Sequence, residues 1–265
     1  MKRTSHDILS SIVGFAVVAS LLSANSGHSA PFPEGNVLAQ SAFDRYEGDT
    51  SLAEVEMTLT NTRQQSEVRT LSITAKATAK QKKELIRFSS PRDIAGTGFL
   101  SRENESGGSD QFLYLPALKR ARRIGSDQRQ RRFVGTDFAY EDLDRIDVEA
   151  FTHKVIGAER HAGRECWILE SVRKQGANTG YTKLVRWIDK TTHFDMRVDY
   201  FDTTGSLLKR LNVSELKQID GIWTAVDTEM QDFRETHRTR LKVMKIEYNK
   251  AISDEKLTRS HLESA

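Results

Sequence analysis

A single cysteine, Cys166, among 265 residues excludes an internal disulfide, so the fold must rest on packing even in an oxidising compartment. Within the alternating run RECWILESV it reads as a small buried thiol rather than a reactive one. Four prolines and the absence of low-complexity tracts exclude long disordered linkers. Apolar residues reach only 37%, below the roughly 45–50% usual for globular chains on a count that includes glycine. That argues against a thick α/β core and for an open or curved sheet. Catalytic signatures are missing too: there is no GxSxG elbow, no P-loop and no dinucleotide fingerprint. Beyond residue 30, His153, His161, His193, His237 and His261 form no HExxH or HxxEH pattern and no pair with metal-ligand spacing. The acidic run Glu141, Asp142, Asp144 and Asp147 lacks EF-hand spacing and reads as a charged helix face. Neither catalysis nor a metal or cofactor is expected.

Lys2, Arg3 and His6 precede a mainly apolar run from Ile8 to Leu22, followed by small residues. This predicts a secretory signal peptide over residues 1–30, cleaved after Ala24 or after Ala30. The run of about 15 residues contains Ser10, Ser11 and Ser20, short of the roughly 20 that span a bilayer. No cysteine near it offers a site for lipid attachment, and no later stretch is apolar enough to span, so the mature chain is expected to be soluble. Its charge is near balance: the formal net charge of +3 falls further once Lys2, Arg3 and Asp7 leave.

Residues 37–47 place Val37, Leu38, Ala42 and Tyr46 on one helical face, with Gly48 as a stop. The period then changes to two. Ala53, Val55, Met57 and Leu59 alternate with polar residues, Leu71, Ile73 and Ala75 do the same, and a third strand carries Ile86 and Phe88 before Pro91. From Phe151 onward seven strands recur between short turns such as Thr203-Thr204-Gly205 and Asp220-Gly221. Regular short strands without a linker predict one antiparallel sheet over residues 31–252, folded into a barrel or half-barrel. The polar tail, residues 253–265, is expected to fray. Several strands mix apolar and charged groups on both faces: Tyr181, Lys183, Val185 and Trp187 alternate with Thr182, Leu184, Arg186 and Ile188. A curved sheet with helices and a ligand-sized space on its concave side accounts for this. A two-layer sandwich with imperfect alternation accounts for it as well.

The densest pattern lies between Arg87 and Leu143. Gly96 and Gly98 leave bare backbone on one strand face, which admits a bulge, a bend or a large apolar neighbour. In the next strand Leu113 and Leu115 face one side and Phe112 and Tyr114 the other, so both sides need cover. From Lys119 to Arg132 seven basic residues stand against Asp127 alone. They read as a solvated hairpin arm or as a landing surface for an acidic partner or anionic headgroups, with Arg122, Arg123, Arg131 and Arg132 as candidate contacts. No aromatic residue interleaves with them, which argues against nucleic acid. Asp137 is placed to cap a helix of about ten residues with Glu141 and Asp142 in its first turn and Ala139, Leu143 and Ile146 along one face. That helix would be a lid over the sheet.

These blocks in fixed order, Phe88 to Pro91, Gly96-Thr97 with Leu100, Leu113-Tyr114-Leu115-Pro116, Lys119 to Ile124, and Gly135-Thr136-Asp137-Phe138 with Tyr140 to Leu143, resemble the LolA-like family of periplasmic outer-membrane lipoprotein-sorting proteins. The likeness is to the divergent branch often encoded beside exporters of the resistance-nodulation-division type. It implies an incomplete antiparallel β-barrel closed by a helical lid, with an apolar cavity for the acyl chains of lipids or lipoproteins. It also implies a periplasmic monomer that touches membranes transiently, with a membrane exporter as a candidate partner. Cavity and lid positions would then be Phe88, Phe99, Leu113, Leu115, Phe138, Tyr140 and Leu143.

Overall fold

The computed structural model describes residues 32–78, 81–104 and 108–264. The segment expected to be a signal peptide lies outside them. After a helix, α1 (Gly35–Phe43), the chain forms β1 (Thr50–Thr60), β2 (Ser66–Ala77), β3 (Lys82–Ser90), β4 (Gly98–Glu103), β5 (Ser109–Leu115) and β6 (Arg120–Arg123). After a long connection come β7 (Phe151–His161), β8 (Arg164–Arg173), β9 (Lys183–Asp189), β10 (Asp195–Phe201), β11 (Leu207–Ile219), β12 (Ile222–Asp232) and β13 (His237–Tyr248), then a short helix α2 (Arg259–Glu263). The strands make one antiparallel sheet of thirteen in the order β6-β5-β4-β3-β2-β1-β13-β12-β11-β10-β9-β8-β7, and β6 and β7 are its free edges. The barrel is open, and no helix among the described residues is long and apolar enough to cross a membrane.

Period-two patterning decides which face is buried. Val55 sits opposite Leu71, Ile73 opposite Ile86, Ile86 opposite Phe99, and Phe99 opposite Leu113. These residues form one cluster with Phe151, Leu184, Val198, Tyr200 and Met230 from the other half of the sheet. Strands as far apart in order as β4 and β9 share this core, so the sheet curls around it. The face turned toward this core is the inner face of the sheet. At the β7–β9 end the inner face is covered by α1, whose Leu38, Ala39 and Ala42 pack on Val155, Leu169 and Ile188.

The outer face of β3 to β6 presents Leu85, Leu100, Phe112, Tyr114 and Ala121, and the C-terminal tail covers it. This corrects the expectation of fraying. Leu257 and Leu262 are fully buried there, and the Leu262 Cδ1 atom fills the space where a side chain at Gly98 would stand, 2.6 Å from an ideal Cβ. The tail also blunts the β6 edge. Ala121 N donates to Glu263 Oε1 at 3.0 Å and Arg259 Nη2 donates to the Ala121 carbonyl at 3.3 Å, which occupies backbone groups that an edge strand would otherwise present to another chain.

Candidate functional site

Residues 124–150 join β6 to β7, one free edge to the other, and cross the inner face on the way. They do not form the expected lid helix. Its helical turns are three short 3-10 turns, Ser126–Gln128, Tyr140–Leu143 and Val148–Ala150. Asp137 caps nothing, because its carboxylate is claimed by other partners: Arg132 in the same segment at 3.1 Å and, from β13, His237 Nδ1 at 2.7 Å and Thr239 Oγ1 at 2.7 Å. A short helix is marginal without packing, and here tertiary bonds outbid it. The GTDF block instead makes a tight reversal. Phe133 N donates to the Phe138 carbonyl at 2.7 Å, Thr136 Oγ1 donates to the Phe133 carbonyl at 2.7 Å, and Gly135 takes φ 77°, a conformation suited to glycine.

The reversal drives aromatic rings into the curl of the sheet. Phe133 is 1% exposed and lies 5.9, 5.2 and 5.7 Å, ring to ring, from Phe88, Phe99 and Tyr140. Phe138 is buried in the same cluster, with Leu113, Leu143 and Ile146 packed against it. This segment, a strap rather than a helix, therefore fills the apolar hollow with its own side chains.

Carboxylates pin the strap to both halves of the sheet. Asp144 accepts from Ser101 at 2.8 Å, Ser109 at 2.6 Å and Gln111 at 3.0 Å, on β4 and β5, and from Arg129 within the strap. Asp142 accepts from the Tyr181 hydroxyl at 2.6 Å and from Lys209 on β11. The Asp142 and Lys209 side chains are 1% and 5% exposed, so this is a buried ion pair with additional hydrogen bonds, as such pairs require. Burial, with the negative charges of Asp142 and Glu141, pushes the Tyr181 phenol well above its usual range, which keeps it a donor.

Beside the strap lies a cavity of about 270 Å³ lined by Leu143, Ile146, Val198, Tyr200 and Leu211 and by charged groups including Arg45, Glu47, Lys82, Glu84, Arg145 and Arg186. A wider crevice of about 1040 Å³ shares Phe43, Arg145 and Tyr200 with it and continues along Ile124, Ala150, Phe151 and Leu184. The cavity lies just below, and the crevice at the upper end of, the roughly 300–1,000 Å³ usual for ligand sites, and the lining is half polar rather than the purely apolar one expected. Its charges are paired: Lys82 with Glu47 at 2.9 Å and Glu84 at 3.6 Å, Arg45 with Glu47 at 2.5 Å, Arg145 with Glu103, and Arg186 with Asp195 at 2.6 Å. Burial alone would raise the Glu47 carboxyl, but Lys82 and Arg45 hold it at about 2. Burial alone would lower Lys82, and Glu47 and Glu84 outweigh it and raise it above its usual value. Burial pushes Glu84 upward.

Of the seven predicted cavity and lid residues, Phe88, Phe99, Phe138 and Tyr140 meet around Phe133, and Leu113 and Leu143 flank them. Leu115 is half-buried and stands outside this cluster. Phe133, Tyr181, Arg186, Tyr200 and Lys209 were not singled out from sequence. Phe133 lies two residues before the GTDF block, within the dense stretch from Arg87 to Leu143, and was legible there; the other four are polar or aromatic residues whose roles depend on partners far away in the chain. The basic arm is no free hairpin: Arg132 pairs with Asp137, Asp232 and Glu235, and Arg123 with Asp110. Among the described residues Arg122 and Arg131 have no ion-pair partner and are exposed. Cys166 is fully buried, as expected.

A family model described as that of an uncharacterized protein matches residues 80–264. A domain from Vibrio parahaemolyticus named for outer membrane lipoprotein sorting is 33% identical, with TM-score 0.80, over 86% of this chain and 98% of that one. A DUF1329 family protein from Desulfovibrio piger is 29% identical, with TM-score 0.81, over 86% of this chain and 97% of that one. A LolA superfamily protein from Nitrosomonas europaea is 14% identical, with TM-score 0.67, over 87% of this chain and all of that one, a likeness of fold. None of the curated proteins compared with the chain matches it.

Proposed function

The chain belongs to the LolA-like family of outer-membrane lipoprotein-sorting proteins, and from that membership and the site we propose that it is a periplasmic carrier. It would hold the acyl chains of lipids or lipoproteins inside the curled sheet and move them toward the outer membrane, by binding rather than catalysis. One observation carries the reading: beyond the end covered by α1, the apolar hollow is stoppered by the strap, a loop with only short 3-10 turns, and not by a second sheet.

The energetics favour exchange. Three strap aromatics, Phe133, Phe138 and Tyr140, fill the hollow; at about 150–250 Å² each and about 25 cal/mol per Å² their burial is worth roughly 11–19 kcal/mol. One sixteen-carbon acyl chain offers about 12 kcal/mol at about 0.8 kcal/mol per methylene. The two are similar, so a chain can replace the strap without a large net change. That is what loading and release require of a carrier. Protein purified from the periplasm and extracted with organic solvent should release an amphiphile in stoichiometric amount by mass spectrometry. A well-folded protein that is repeatedly empty would count against the proposal.

The sheet edge favours a second reading, an adaptor docking on a membrane exporter. Lys119, Arg120, Arg122 and Arg131 are exposed there beside arginines already paired internally. Charge reversal at Arg120, Arg122 and Arg131 should abolish co-purification with the exporter and leave lipid content unchanged; persistence of co-purification would dismiss the adaptor role.

A further inference from the structure

Two hydrogen-bond donors in the small cavity have no partner. Arg186, on β9, is 3% exposed and binds Asp195 through Nε at 2.8 Å and Nη2 at 2.6 Å. Its Nη1 is buried and has no hydrogen-bond partner among the described residues. An unmade bond at a buried charged group is costly and uncommon. Tyr200, on β10, is 6% exposed, and among the described residues its hydroxyl makes no hydrogen bond. Val198 stands opposite Arg186 and Tyr200 opposite Leu184, so Arg186 and Tyr200 are diagonal neighbours on the inner face, within reach of long side chains. Both line the cavity of about 270 Å³, and Tyr200 also lines the larger crevice.

We propose that Arg186 and Tyr200 together form a subsite that donates to one neutral carbonyl oxygen, that of an acyl ester or amide. The alkyl chain would leave it past Val198 and Leu211 into the crevice. Charge balance selects a neutral acceptor. Every carboxylate in the lining already has a cation: Glu47 and Glu84 share Lys82, Glu103 has Arg145, Asp195 has Arg186, and Asp142 and Asp144 have Lys209 and Arg129. An anion would find no spare positive charge, whereas a carbonyl oxygen needs only donors. Burial and the nearby negative charges of Asp142 and Asp195 raise the Tyr200 phenol well above its usual range, which keeps its proton in place. The inference rests on the carrier reading and refines it: the cargo is recognised at the head of the chain as well as along it.

The test is displacement of a fluorescent alkyl probe from the purified protein by dodecane, methyl dodecanoate, N-methyl dodecanamide and dodecanoate. The readout is the preference for ester and amide over alkane. Tyr200→Phe should cut that preference about threefold, and Tyr200→Phe with Arg186→Lys about tenfold, as expected for losing one and two net hydrogen bonds. Tyr200→Phe disturbs no ion pair, so it carries the test even if the double variant does not fold. If chains bind but both preferences survive the substitutions, the subsite is refuted and the carrier stands. If dodecanoate displaces the probe better than the ester, the neutral-acceptor assignment is overturned. If no alkyl compound binds the wild-type protein, the carrier reading itself falls.

Discussion

Replacing Lys209 with Met removes the buried cation that holds Asp142 of the strap. Breaking one partner of such a pair costs about 3–5 kcal/mol, because a charge stays buried and uncompensated. Asp142 keeps the Tyr181 hydroxyl at 2.6 Å and the Ala139 N–H at 2.5 Å, so the lower end, about 3 kcal/mol, is expected. If the strap opens as a unit while the sheet stays folded, the whole penalty falls on strap closure, and about 3 kcal/mol corresponds to roughly a hundredfold. Native-state hydrogen exchange resolves this. The amides of Phe133, Tyr140 and Glu141, bonded to the carbonyls of Phe138, Arg131 and Arg129, should exchange about a hundredfold faster in Lys209→Met. Met57 and Leu241, paired in the β1–β13 ladder, should change little. Acyl-probe affinity should rise in parallel, because cargo no longer competes with a latched strap. Equal acceleration in strap and ladder would refute the reasoning, since the strap would then be part of the global core and could not move alone. Adding Asp142→Asn should recover most of the loss.

Other parts of the fold give separate expectations. Leu262→Ala should cost about 2–5 kcal/mol, read by urea denaturation, and Gly98→Val should release the tail by the same clash, read as protease cleavage near residue 252. Burial pushes the Cys166 thiol up to about 11, so at pH 8 it should resist thiol reagents in the native protein and react fully in urea; rapid native labelling would contradict its burial. Glu47, held at about 2 against an ordinary 4.5, contributes stability that is complete above pH 4.5 and lost as the pH falls toward 2. Glu47→Gln should therefore lower the urea midpoint at pH 7 and flatten its decline over that window; an unchanged slope would remove Glu47 from the account.

Strand positions were readable because period-two patterning is a local property. Ala53, Val55, Met57 and Leu59 face inward as their alternation implies. Even the double-sided β5 is legible from Leu113 against Phe112 and Tyr114, although nothing local points to the tail as its outer cover. Leu257 and Leu262 look unremarkable in a polar stretch, and only Gly98 on another strand makes a place for them. The lid helix failed for the same kind of reason. Asp137 followed by Glu141 and Asp142 carries every local helix-start signal, yet each of these carboxylates finds a partner elsewhere: Asp137 at His237, Glu141 at Gly180, Asp142 at Lys209. Arg186 and Tyr200 were similarly hidden. In sequence they are two more members of alternating strands, and the donors they leave unused are visible only once the strands pair.

The strand order bears on how the molecule assembles. Every ladder but one joins strands that are neighbours in sequence; the exception is β1 with β13. Two meanders, β1 to β6 and β7 to β13, can thus form from short loops, and one long loop closure remains. That last step must find its register across nearly two hundred residues, and alternating charge assists it. Glu54 meets Lys245 and Glu56 meets Lys242, each opposite-charge pair adding about 0.2–1 kcal/mol. A slip by one residue would turn these acids onto the apolar face. Until β13 arrives, the same glutamates keep the waiting β1 edge from pairing with a second copy of the chain.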